Sequence, residues 1–134
     1  MIVVDTSIVM KWFDKTEPHY LQAKELLQRH LYNEEEIIVP DLLLYEVSNV
    51  LATKTHMIID RIYENLTLLE QYELSIIPVG FSLVNTMVQM AKQFHVSVYD
   101  ASYAVLAQKN NCNLITADRK FSRQVNLPFV TVLQ

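Results

Sequence analysis

Met1-Ile2-Val3-Val4-Asp5-Thr6-Ser7 opens the chain, and Asn113-Leu114-Ile115-Thr116-Ala117-Asp118 repeats its layout more than a hundred residues later. Each is a short apolar run that stops at a carboxylate. Runs of this length, with no polar alternation, read as strands buried on both faces. Ile37-Ile38-Val39, Leu74 to Ile77 and Phe129 to Val132 read the same way. Between them lie amphipathic segments. Strands that alternate with helices point to an α/β fold, a parallel sheet with helices on both faces. In such sheets ligands bind outside the carboxyl ends of the strands, where Asp5 and Asp118 stand.

The helices are read from apolar spacing. Ser7 to Phe13 forms a short one. Pro18 is expected to be the first residue of the next, in which Ala23, Leu26, Leu27, His30 and Leu31 recur at helical intervals. Pro40-Asp41 opens a helix to about Thr53, with Asp41 as its cap. Ile58, Ile59, Ile62, Leu66 and Leu69 mark another, and Val84, Met87, Val88, Ala91 and Phe94 the one after. Val98 to Lys109 and Arg119 to Val125 complete the set.

The chain has 134 residues, a length that suits one domain spanning 1–134. Hydrophobic residues make up 51% and charged residues 19%, enough apolar surface for a sizeable core. No apolar stretch approaches the length of a membrane span, and no basic leader precedes Asp5, so cytoplasmic residence is expected. The single cysteine, Cys112, excludes an internal disulfide and any cysteine-built zinc site. The four histidines show no paired metal spacing. A net charge of −4 argues against nucleic-acid binding through a broad basic surface. With Gly80 as the only glycine, neither a phosphate-cradling P-loop nor a dinucleotide-binding turn can be written.

Four acids remain to be explained: Asp5, Glu46, Asp100 and Asp118. Asp5 reads as a helix cap as readily as a functional group, although Thr6 and Ser7 are the better caps and would free it. Glu46 has Leu42, Leu43 and Val50 at helical spacing around it, so it falls within an apolar stripe where an unpaired charge is costly. No Arg or Lys lies within one turn. Asn49, one turn on, is either its hydrogen-bond partner or a surface amide. Asp100 by itself is a first-turn acid favoured by the helix dipole, and Asp118 by itself is a cap. Together the four gather at the ligand-binding edge. Carboxylates gathered there repel one another unless a cation sits between them.

Val4-Asp5-Thr6-Ser7, Tyr45-Glu46-Val47-Ser48-Asn49-Val50-Leu51, Tyr99-Asp100-Ala101-Ser102-Tyr103-Ala104 and Ile115-Thr116-Ala117-Asp118-Arg119-Lys120-Phe121 resemble, in order and spacing, the PIN domain. The resemblance is to the small VapC-type ribonuclease toxins of toxin–antitoxin pairs, and it covers essentially the whole chain. It implies a three-layer α/β/α sandwich around a short, mainly parallel sheet, and a metal-dependent endoribonuclease using Mg²⁺ or Mn²⁺. It implies Asp5, Glu46, Asp100 and Asp118 as metal and catalytic residues, with the hydroxyls of Ser7 and Thr116 orienting them. An RNA substrate, a homodimer and an inhibitory antitoxin are the implied partners. Arg119, Lys120 and Arg123 either meet RNA phosphates or form an exposed basic turn.

Two other readings compete. An aspartate-based phosphatase wants a second Asp two residues after the first, where this chain has Ser7. A phosphotransfer receiver wants a phosphoacceptor Asp after a central strand, where Pro78 follows Ile77. The remaining alternative is a PIN-like binding module without catalysis, against which the intact set of acids counts.

Overall fold

Strands of three or four residues build the sheet. The computed structural model describes residues 1–134, in the order β1 (Ile2–Val4), α1 (Thr6–Trp12), α2 (Tyr20–Leu31), β2 (Ile37–Pro40), α3 (Leu42–Thr53), α4 (Ile59–Gln71), β3 (Ser75–Ile77), α5 (Phe81–Phe94), α6 (Val98–Lys109), β4 (Asn113–Thr116), α7 (Arg119–Val125) and β5 (Val130–Val132). Five strands lie in the order β3-β2-β1-β4-β5, and every pairing is parallel. Parallel neighbours need a crossover, and each connection here supplies at least one helix.

Strand order fixes where ligands can enter. From β1 the chain steps outward through β2 to β3, then returns to β4 and continues to β5. Right-handed crossovers put α1 to α4 on one face and α5 to α7 on the other. The packing agrees: α1 lies against α2 and α3, and α3 against α4. On the other side α5 lies on α6, which covers β1, β2 and β4. The order reverses between β1 and β4, which opens a crevice at their carboxyl ends.

The core explains the composition. Every residue of β1 and β2 is buried, as central strands between two helical layers must be. Helix α6 is buried without interruption from Ala101 to Ala107. It has no polar face because it lies between the sheet and α5, and its alanines permit close approach.

Two local expectations are corrected. Helix α2 starts at Tyr20, not at Pro18, because His19 takes a left-handed backbone conformation (φ 59°) that no continuous right-handed helix accommodates. Asp41 does not cap α3. Its backbone is already helical, so its side chain cannot turn back, and it accepts instead from the Val79 N–H at 3.3 Å.

Candidate active site

Asp5 sits where β1 ends and α1 begins, and it is the residue that caps α1. Thr6 and Ser7, expected as caps, are engaged elsewhere. Asp5 Oδ1 accepts from the Ser7 N–H at 3.1 Å, the Ile8 N–H at 3.4 Å and the Ser7 hydroxyl at 2.5 Å. Its Oδ2 accepts from the Thr116 hydroxyl at 2.5 Å. Each hydroxyl then receives a backbone N–H from the end of β4: Ala117 donates to Ser7 Oγ at 2.8 Å, and Asp118 to Thr116 Oγ1 at 3.0 Å. The two strand ends at the crevice are laced through a single carboxylate. Burial pushes the Asp5 carboxyl up from 3.8 to about 6, against the opposing pull of the Ser7 and Thr116 hydroxyls and the Ile8 and Ser7 amides.

Glu46 lies on the border of the buried face of α3, whose inward residues are Leu43, Val47 and Leu51. No cation answers its charge. Its Oε1 accepts from the Tyr103 phenol at 2.5 Å and the Thr6 hydroxyl at 2.9 Å, and those two oxygens are 3.0 Å apart. Tyr103 is 2% exposed, in the middle of α6. Burial, then its bond to Glu46, drives the phenol far above its ordinary pKa, so it stays protonated and donates. Thr6 and Tyr103 belong to the site, and the sequence did not reveal them in that role. The usable signal was a tyrosine on the same helical face as Asp100, whose buried hydroxyl needs a partner.

Asp100 and Asp118 complete the edge. Asp100 is in the first turn of α6, and its N–H donates to Ser97 Oγ at 3.0 Å. The residue is exposed as a whole, yet the packed groups around its carboxyl desolvate it and raise its pKa. The Ser97 hydroxyl lowers it in part, and the charges of Asp118 and Glu46 raise it further. Asp118 caps α7 through Oδ1, which accepts from the Phe121 N–H at 2.9 Å. The capping role and the place at the crevice coexist in one side chain.

The ion pairs of the chain join the N-terminus and Arg29 to Glu35, Lys11 to Glu17, and Arg61 to Glu64. None involves the four acids at the crevice. No three His, Cys, Asp or Glu side chains converge tightly enough to cage an ion. Carboxylates without basic partners are hard oxygen donors, the ligand type that Mg²⁺ and Mn²⁺ prefer. Asn49 is exposed and makes no side-chain hydrogen bond to Glu46; its backbone carbonyl accepts from Thr53. Arg119, Lys120 and Arg123 are exposed on α7 and free of carboxylate partners.

Among curated proteins, no sequence matches this chain. Solved structures do share its fold. A toxin–antitoxin complex from Klebsiella pneumoniae superposes with a TM-score of 0.73 at 21% identity, over 100% of this chain and 98% of the other. VapBC2 from Rickettsia felis, bound to a promoter DNA fragment, gives 0.73 at 20% identity over 100% of both chains. VapC20 from Mycobacterium tuberculosis, a toxin that cleaves the sarcin–ricin loop, gives 0.64 at 16% identity over 92% and 94%. The PIN domain family model matches residues 2–126, a span that includes all four carboxylates, and the chain belongs to the PIN domain family.

Proposed function

We propose that the protein is a VapC-type endoribonuclease that hydrolyses RNA phosphodiester bonds with Mg²⁺ or Mn²⁺, as the toxin of a toxin–antitoxin pair. One observation carries the reading: Asp5 and Asp118 stand at the carboxyl ends of β1 and β4, the charges of Asp118 and Glu46 bear on Asp100, and none of the four acids has a basic partner. Asp5 is held there against a burial cost that its hydrogen bonds do not cancel. Family membership and a structural neighbour that cleaves the sarcin–ricin loop support the choice of reaction.

The hydrogen bonds suggest how the acids divide the work. Asp5 Oδ1 is taken by three donors and Oδ2 by one, which leaves Oδ2 a lone pair that no protein donor uses. Asp5 and Asp100 are the direct ligands of this reading. Glu46 is either a third ligand or the base that takes the proton of the attacking water. Asp118 acts through water or a second ion with its free Oδ2. A divalent ion supplies positive charge against the scissile phosphate and makes water more acidic. Ser7 and Thr116 hold Asp5 in place, and Arg119, Lys120 and Arg123 meet the phosphates on either side.

The proposed protein partners are an antitoxin and a second copy of the chain. Leu21, Tyr32, Leu44, Tyr45, Ile59 and Tyr63 are exposed on and beside α2 to α4, so the apolar residues of these helices are not all core. A mainly apolar cleft of about 370 Å³ between α3, α4 and β3 adds to that surface, and none of the four site acids lines it. No helix is long and apolar enough to cross a membrane, and the proposed site of action is the cytoplasm.

Structured RNAs incubated with Mn²⁺ or Mg²⁺ should be cut, and chelator or Asp5→Asn should abolish cutting. Absence of cleavage of any RNA, together with no calorimetric metal binding, would sink the nuclease reading. Cleavage retained by Asp5→Asn would remove Asp5 from the site.

A further inference from the structure

We infer that Thr6 and Tyr103 are positioning residues for Glu46, a two-hydroxyl clamp that fixes which oxygen of the carboxylate the reaction uses. The inference rests on the proposed nuclease site and adds to it a working geometry for the acid whose role is most open.

Three short contacts join Thr6 Oγ1, Tyr103 Oη and Glu46 Oε1, at 2.9, 2.5 and 3.0 Å. Each hydroxyl has one proton. The phenol, which carries its proton at neutral pH as tyrosines ordinarily do, donates it to Oε1. The threonine gives its own to Oε1 or to the phenol oxygen. Both arrangements leave Oε1 occupied, and no hydrogen bond reaches Oε2. The carboxylate therefore keeps one oxygen, Oε2, free of protein donors. A glutamate side chain has three rotatable bonds and would otherwise sample many orientations from a helix surface. Here it is pinned from two other elements, α1 and α6, one on each face of the sheet.

Tyr103 has little freedom to do anything else. Its ring is buried in α6 between fully buried neighbours, and the charges of Glu46 and Asp5 both bear on its hydroxyl. A phenylalanine would fill the same space for packing alone. The hydroxyl, not the ring, is the part that meets the site.

Tyr103→Phe removes the phenol contacts and keeps the ring; Thr6→Val removes the other hydroxyl at nearly constant volume, and Thr6→Ser keeps it. Mn²⁺ affinity by calorimetry and RNA cleavage kinetics are measured for each, with thermal melting as the fold control. Tyr103→Phe and Thr6→Val should each weaken Mn²⁺ binding or lower kcat by about 10-fold or more, with KM for RNA unchanged. Thr6→Ser should remain near the parent. Loss of Mn²⁺ affinity would make Glu46 a ligand, and loss of kcat alone would make it the base. Parental Mn²⁺ affinity and parental kcat in folded Tyr103→Phe and Thr6→Val would overturn the clamp. Mn²⁺ binding by the parent without cleavage of any RNA would instead overturn the nuclease reading, and the Mn²⁺ measurements would still decide the clamp.

Discussion

At the scale of single residues, Asp5 carries a measurable cost. Its folded-state pKa of about 6 lies above the ordinary 3.8. The sign follows from proton binding: the folded protein holds this proton more tightly than the unfolded chain. The stability so gained is fully present below about pH 4 and is lost as pH rises through about 6. At neutral pH the charged form is held at a cost of at most about 3 kcal/mol, from 1.36 kcal/mol per pKa unit. In chelator near neutral pH, Asp5→Asn should therefore melt a few degrees above the parent. Its advantage should shrink to nothing towards pH 4. The Asn amide answers the Thr116 hydroxyl less well than a carboxylate, so the gain stays below the ceiling. Mn²⁺ should raise the melting temperature of the parent and not of the variant. A melting difference that ignores pH would show that burial does not set the Asp5 pKa. The sequence exposed Glu46 because a charge in an apolar stripe is conspicuous. It left Asp5 ambiguous because capping and site geometry draw on the same residue type, and the structure shows one side chain serving both.

Among the elements, the crevice depends on how helices and strands are tied at their ends. His30 shows this away from the acids. Its Nδ1 accepts from the Ile37 N–H at 3.1 Å, which leaves Nε2 to donate to the Tyr72 carbonyl at 2.9 Å. One imidazole joins α2, the start of β2 and the end of α4. His30→Ala should cost about 1–3 kcal/mol, since both backbone groups lose a partner where water has limited access. Urea unfolding measures the loss, and hydrogen exchange should be faster at the Ile37 amide. Unchanged protection at Ile37 would show that β2 does not need the tie. Most element positions were legible because their apolar spacing is local. The start of α2 was not, because the left-handed backbone at His19 has no signal that outweighs Pro18. Asp41 was misread because its partner, Val79, comes from the far side of β3.

For the whole molecule, charge is distributed against its average. The chain carries −4 overall, with acids at the crevice, yet α7 presents Arg119, Lys120 and Arg123 directly after Asp118. If these three neutralise phosphates, replacing all of them with Ala should raise KM for RNA. It should also flatten the dependence of log KM on log salt by about 2, from a slope of about 0.7 per single-strand phosphate contact. An unchanged salt slope would return the three to an exposed basic turn. The alternation of strands and helices, and hence the parallel α/β sheet, was determined by the sequence alone, because burial on both faces leaves a local mark in every apolar run. The carboxylates themselves were equally visible. Only the tertiary structure decided which side chains tie the carboxylate oxygens of Asp5 and Glu46. Those partners stand 40, 57 and 111 residues apart in the chain, and no local pattern of residues records contacts made across a folded sheet.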